Sequence, residues 1–328
     1  MKALFTEAPG GWDHTGIVEK PDPVPREGEV LVDIKAVGLN PADYFQVQGQ
    51  YPGQPKAPFI TGRDAAGVIA ANSGTKEWPA GTPVLIVQSQ VRDLAEGTLC
   101  ERQRFPVSTL APIPSGWSIE EAAAAPLAYM TAWRALTVSA KCTEGSKVVV
   151  TGASGGVGTA AVQLALGLGA TVIALSRSAE KGAKLTALGA HHVFSPDDPD
   201  LKKKVPQVLG GRGVDIVVET VGGPFIRTAV NLLAPYGVVG VVGVLAGVEG
   251  PLPIPSLMFK RAKVEGVLVS DYTPEEAPGE WGKIVATLNK RSFRPIIDKV
   301  FPFNDYLAAV EHLKASPFGK VVLTFPGR

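Results

Sequence analysis

The stretch KVVVTGASGGVGTAAVQLALGLG, residues 147–169, constrains this chain more than any other. A β-branched run, a turn of small residues and a long helical segment follow one another, the order that a dinucleotide crevice requires. The turn holds Ser154, Gly155, Gly156, Val157 and Gly158. In this reading Gly155 lets the backbone approach a pyrophosphate, Gly156 accepts the turn geometry, and Gly158 lets helix and strand pack closely; the exposed N–H groups then meet phosphate charge. Ala153 stands where the strict G-x-G-x-x-G pattern begins with Gly. The competing reading is a glycine turn needed for packing alone, and the position between a strand and a helix favours the cofactor.

The end of the next run, TVIALSRS, bears on which dinucleotide. A site for NAD places Asp or Glu there for the ribose hydroxyls, and that carboxylate would repel a 2′-phosphate. Ser176 stands there instead, followed by Arg177, with Lys181 at the start of the next helix. Arg177 can stack on adenine or pair with phosphate, and Ser176 can donate to it. Arg177 and Lys181 could also decorate a solvated loop, but the missing carboxylate favours NADPH.

From residue 147 nearly continuous apolar runs alternate with helical stretches: KVVVTGA, ATVIALS, HHVFS, VDIVVETV, GVVGVVGV and KVEGVLVS. Such runs are strands of a parallel sheet covered on both faces, so the expected fold class is α/β with a doubly wound parallel six-stranded Rossmann sheet. Residues before about 115 instead carry short β-rich runs punctuated by Pro and Gly, as a mainly β domain does. At SGWSIEEAAAAPLAYMTAWRAL, Ser118 and Glu121 have capping-box spacing and lead into an Ala-rich helix that enters the second domain. The tail after residue 270 loses the β/α period, and its return to the first domain puts the boundaries at 1–122 with 271–328, and at 123–270.

The charge balance bears on partners. With 32 Lys and Arg against 31 Asp and Glu, net +1, no summed field favours nucleic acid or an anionic membrane, so the expected partner is a small molecule. Two cysteines, Cys100 and Cys142, are too few for a disulfide scaffold and suit a reducing compartment. The N-terminus lacks the apolar core of a signal peptide and no apolar stretch reaches spanning length, so the expectation is a cytoplasmic protein.

The segments VGLNPADYFQVQGQYP, PFITGRDAAGVI, AAAAPLAYMTAWRAL, VVVTGASGGVG, GVDIVVETVGG and FGKVVL, spread over residues 37–323, together resemble a medium-chain dehydrogenase/reductase. Within that superfamily the chain is similar to the zinc-independent quinone oxidoreductases of the zeta-crystallin type, with enoyl-thioester reductases as cousins. The resemblance implies a GroES-like β domain built from both termini, a nucleotide domain inserted in it, a cleft where they meet, and a homodimer. Zinc alcohol dehydrogenases carry Cys at the position of Asn40 and a His-Glu pair at Arg63 and Asp64; the four-Cys lobe would fall near QSQVRDLAEGTLCERQRF, which offers Cys100 alone. His14, His191, His192 and His312 show no metal-ligand spacing, and no metal is expected.

Without a Lewis acid, reversible alcohol oxidation loses its electrophilic aid, whereas hydride addition to a quinone or to an alkene conjugated with a carbonyl needs positioning and donors for the developing oxyanion. Tyr51 matches the tyrosine that enoyl-thioester reductases use as proton donor or oxyanion partner, and a phenol carries its proton at neutral pH. It could also pack in its Pro- and Gly-rich loop. Asn40, in the vacated cysteine position, could donate to substrate or to the nicotinamide carboxamide, or stabilise a local turn. Asp43, Tyr44 and Arg63 fall in the matching cleft motifs as substrate contacts, with an Arg63–carboxylate pair as the plainer reading. Tyr129 and Thr131 match the helix that approaches the nicotinamide in relatives, Tyr129 on the substrate side and Thr131 on the cofactor. Val244, Leu245 and Leu268 follow strands at their C-terminal ends, where cofactors gather. Lys320 resembles a family lysine near the cofactor, or is a solvated residue at a strand start. The expected activity is NADPH-dependent reduction of quinones or enones; the alternatives are an enoyl-thioester reductase and a low-turnover NADPH-binding protein.

Overall fold

The computed structural model of the chain describes residues 1–51, 56–71, 73–87 and 97–325. In chain order the strands and helices of the first part are β1 (Lys2–Thr6), β2 (Thr15–Glu19), β3 (Glu29–Leu39), α1 (Pro41–Val47), β4 (Phe59–Ile60), β5 (Ala66–Ile69), β6 (Pro83–Ile86), β7 (Arg102–Pro106), β8 (Leu110–Pro112), α2 (Ile119–Ala124) and α3 (Pro126–Trp133). There follow β9 (Lys147–Val150), α4 (Gly156–Gly167), β10 (Thr171–Leu175), α5 (Ala179–Ala187), β11 (His192–Phe194), α6 (Leu201–Val208), β12 (Val214–Glu219), α7 (Ile226–Leu232), β13 (Leu233–Val241), α8 (Ile254–Lys260) and β14 (Lys263–Gly266). The chain closes with α9 (Ala277–Asn289), β15 (Ile297–Pro302), α10 (Tyr306–Lys314) and β16 (Lys320–Thr324). Two compact units result: Met1–Leu127 with Ser270–Lys283 and Arg294–Arg328, and Ala128–Val269 with Ile284–Phe293.

The first unit is the GroES-like β domain. Its long strand β3 pairs antiparallel with β5, β7 and β16, and the sheet runs β15-β16-β3-β5-β6-β8. The tail therefore enters the sheet through β16, whose Val322 lies opposite Gly38. Val30, Val32 and Ile34 on alternate positions of β3 are buried in a core with Ile60, Ile69, Val84, Phe105, Val321 and Leu323. Alternate side chains of a strand share a face, which is why Val30, Val32 and Ile34 of EVLVDI enter this one core.

The second unit holds the expected six-stranded parallel sheet, in the order β11-β10-β9-β12-β13-β14. Its strands read as apolar runs because both faces are covered, and Val149, Ile173, Val217 and Val239 are wholly buried. The order reverses between β9 and β12, and ligands of such sheets gather at the carboxyl ends of the strands on either side of that reversal.

One local expectation is corrected. The Ala-rich segment is two helices, not one, because Pro126 has no N–H to bond back into α2 and instead occupies the first turn of α3. The capping box at the start of α2 is present: Glu121 N–H donates to Ser118 Oγ at 3.1 Å, and Ser118 N–H to Glu121 Oε2 at 2.8 Å.

Candidate functional site

In the second unit β9 delivers the chain to the glycine turn, and two contacts hold the turn against β12. Thr220 N–H donates to Thr151 Oγ1 at 2.8 Å, and Thr220 Oγ1–H donates to Thr151 O at 2.7 Å. Gly152 between them has φ +51°, and a Cβ there would stand 2.4 Å from Thr220 Oγ1. The left-handed position is thus Gly152; Gly156, expected to take the turn geometry, is already inside α4, because the helix begins one residue after Gly155. Gly158 does pack helix on strand, since a Cβ would fall 2.2 Å from Gly152 O.

Gly155 differs from these. It is the N-cap of α4 and supplies no capping side chain, and a Cβ on it would meet Gly152 O at an ordinary 3.5 Å. The fold does not require glycine there, and with glycine as the N-cap no side chain satisfies the helix's first N–H groups. The cradle accordingly fits a phosphate: uncapped donors, a helix N-terminus, and room for an anion to approach. Ser154 and Val157 flank it, both half-buried.

At the end of β10, Ser176 N–H donates to Phe194 O of β11 at 3.0 Å, joining the two strand ends. Ser178 Oγ caps α5 by accepting from Lys181 N–H at 3.2 Å, and Ser176 Oγ donates to Ser178 O at 3.2 Å. Arg177 is exposed, with Nε 3.2 Å from Asp197 Oδ2. That aspartate, on the loop after β11, had no place in the sequence reading. His191 Nδ1 accepts from Val172 N–H, a structural bond at the root of β10, and His312 pairs with Asp298 in the first unit.

The residues assigned to the nicotinamide end divide. Val244, Leu245 and Leu268 are exposed after β13 and β14. Thr131 is buried on α3. Tyr129, expected on the substrate side, is core: it is 2% exposed and its hydroxyl donates to Gln163 on α4. Helical spacing alone could not distinguish it from its neighbours.

Glu219, quoted in GVDIVVETVGG but given no role, ends β12 beside Thr151. Its Oε1 accepts from Val221 N–H at 2.7 Å and Gly222 N–H at 2.8 Å, while Oε2 is buried with no partner among the described residues. Burial pushes its carboxyl above the usual range.

The first unit gathers a second group around the start of α1. Asn40 N–H donates to Asp43 Oδ2 at 2.8 Å, and Arg63 Nη1 to Asp43 Oδ1 at 2.8 Å and Gln46 Oε1 at 3.3 Å. Asp64 receives three donors: Asn40 Nδ2 at 3.0 Å, Lys320 Nζ at 2.9 Å and, on its other oxygen, Leu127 N–H at 2.8 Å in the first turn of α3. Asn40 Nδ2 also donates to Gly38 O, and Asn40 Oδ1 accepts from Lys320 Nζ. Both amide protons expected to face substrate are therefore committed inside the protein. Lys320, expected at the cofactor or in solvent, is 5% exposed and ion-paired. Arg63 is also in its plainer role, paired with Asp43, although its Nε is buried without a partner among the described residues. The Tyr51 ring lies 4.3 Å from the Arg63 guanidinium carbon. Tyr44 is half-buried against Phe45. Residues 52–55, next to Tyr51, and 88–96, where a cysteine lobe would begin, lie outside the described residues.

Neither cysteine offers a reactive thiolate by its surroundings: both are buried, and burial pushes the Cys142 thiol up to about 11.

Two family models match the chain. Residues 26–140 match the alcohol dehydrogenase GroES-like domain and residues 156–289 the domain described as zinc-binding dehydrogenase. The quinone oxidoreductase of Mus musculus is 31% identical over 309 residues, 92% of this chain and 90% of its own. The chain belongs to the quinone oxidoreductase family of the medium-chain dehydrogenase/reductases. Among solved structures of this superfamily, the quinone oxidoreductase of Thermus thermophilus, also determined in complex with NADPH, is 32% identical, with TM-score 0.82 and coverage of 99% of this chain and 100% of that one. A mycobacterial protein complexed with NADPH is 27% identical, with TM-score 0.89 and coverage of 99% and 100%.

Three outcomes should follow. Asp64→Ala leaves the Lys320 charge buried and unpaired, and should cost about 3–5 kcal/mol of stability in denaturant unfolding; a loss below about 1 kcal/mol would show that the pair is replaceable by water. Gly158→Ala should destabilise the second unit, whereas Gly155→Ala should keep the wild-type melting temperature and lose dinucleotide affinity by about tenfold or more in a binding titration. For Glu219, a carboxyl raised by burial contributes stability that is present below the ordinary glutamate range and is lost as pH rises through the raised value. Glu219→Gln should therefore be more stable than wild type by about 1 kcal/mol at pH 7 and indistinguishable from it near pH 4; a difference that does not change with pH would reject a titrating Glu219.

Proposed function

We propose that this member of the quinone oxidoreductase family is an NADPH-dependent, zinc-independent reductase of quinones or of the C=C bond of α,β-unsaturated carbonyls. The observation that carries the cofactor choice is the end of β10, where Ser176 and exposed Arg177 stand in place of a ribose-binding carboxylate. Gly155 and the N-terminus of α4 would hold the pyrophosphate, and Val244, Leu245, Leu268 and Thr131 would border the nicotinamide. The bound reduced nicotinamide would supply the hydride.

Tyr51 would hold the proton for the oxygen or carbon that gains charge. The Arg63 guanidinium lies against its ring. Zinc independence rests on the donor set: where a zinc dehydrogenase has thiolate and imidazole, this chain has the Asn40 amide and the Arg63 guanidinium, neither a zinc ligand, and the adjoining Asp64 carboxylate is taken up by Lys320. Among the described residues no three His, Cys, Asp or Glu side chains come together for a metal.

The chain would act as a homodimer through the open edge of β14, beside which α8 exposes Ile254, Met258 and Phe259. A cytoplasmic setting is supported by two buried cysteines with no disulfide between them. No described helix is long and apolar enough to cross a membrane.

The deciding experiment titrates the protein with NADPH and NADH, then assays quinones, enones and enoyl thioesters. NADPH should bind more tightly, and quinones or enones should oxidise it faster than thioesters do. Tyr51→Phe should lower kcat by about a hundredfold with enones and leave the NADPH Kd unchanged. Tight NADPH binding with no acceptor turned over would instead identify a binding protein, and unchanged turnover in Tyr51→Phe would assign that ring to packing.

A further inference from the structure

Arg177, on which the NADPH reading leans, is not alone on the rim of the second unit. Its Nε lies 3.2 Å from Asp197 Oδ2, with the two side chains 72% and 68% exposed. The loop that carries Asp197 is built to present it there. Ser195 Oγ accepts from Asp197 N–H at 3.2 Å, closing a tight turn directly after β11. The next residue is spoken for elsewhere: Asp198 accepts from Lys204 Nζ at 2.6 Å and from Asp200 N–H at 2.9 Å. Lys203 in turn pairs with Asp200 at 3.0 Å. Of the three acids on this loop, two are matched by lysines of α6, and Asp197 by Arg177.

We propose that Asp197 is a specificity-determining residue that weakens recognition of the 2′-phosphate by competing for Arg177. The inference rests on the NADPH reading. Two effects oppose each other here. An ion pair through Nε holds the guanidinium in place and leaves its Nη groups as donors, which aids binding. The carboxylate also repels a phosphate approaching the same cation. Ordering one exposed arginine gains little because surface pairs are weak. A phosphate of nearly two negative charges, by contrast, meets the carboxylate's field at close range whenever it engages Arg177. Repulsion wins, so the acid acts as a brake on the cofactor carrying the extra phosphate and is indifferent to the one without it.

The test measures Kd for NADPH and NADH by nicotinamide fluorescence, for wild type, Asp197→Asn and Arg177→Ala, at low and high salt. Asp197→Asn should tighten NADPH by about threefold to tenfold at low ionic strength, less at high salt, and leave NADH unchanged. An unchanged NADPH Kd overturns the proposal, and so does a weaker one, which would make Asp197 an orienting partner. A loss confined to NADH would make it a ribose acceptor instead. The underlying reading fails separately: if wild type binds NADPH no better than NADH and Arg177→Ala changes neither, both the cofactor assignment and the role of Asp197 fall. If Arg177→Ala costs NADPH affinity while Asp197→Asn does nothing, the brake alone is lost.

Discussion

A single buried carboxylate, that of Asp64, ties together parts of the first unit that are far apart in sequence. Its three donors come from the residue after β3, from the start of α3 and from the C-terminal strand β16. Burying a carboxylate and an ammonium is costly, and the cost is offset by their mutual attraction and by completed hydrogen bonds. A backbone N–H of α3 and the Asn40 amide complete them. The junction thus holds the tail strand, the α1 start and the α3 start in one register, and removing any member leaves another uncompensated.

The same closure limits the chemistry. Asp43 and Asp64 match Arg63 and Lys320, so the four side chains carry no net charge, and the amide of Asn40 is used up inside them. Groups that a sequence reading would turn toward a substrate are here bonded to one another inside the unit. What remains beside them is Tyr51, its ring against the Arg63 guanidinium.

In the second unit the glycine turn presents mostly backbone. Gly152 can adopt its left-handed turn only because nothing but hydrogen stands where Thr220 Oγ1 approaches, and Gly155 leaves the first donors of α4 open. Thr220, just after the neighbouring strand, braces this turn by bonds to Thr151, while Glu219 holds the N–H groups of Val221 and Gly222 in its own loop. Side chains enter at the rim, where Ser176 bonds to the loop that follows β10 and Arg177 pairs with Asp197.

The residues alone determined a good deal. Continuous β-branched runs at a βα period specify a covered parallel sheet, the Ser118–Glu121 spacing specifies a helix start, and the small residues after β9 specify a tight turn into a helix, because each is a local property of backbone and burial. Tertiary structure decided what local pattern cannot carry. That Pro126 divides a helix was open to the sequence; that Tyr129 is core, that Lys320 and Asn40 are consumed by Asp64, and that Asp197 reaches Arg177 were not. Each of these depends on partners from 20 to 280 residues away, and a charge or an amide takes its role from the nearest opposite group in space, which chain order does not encode.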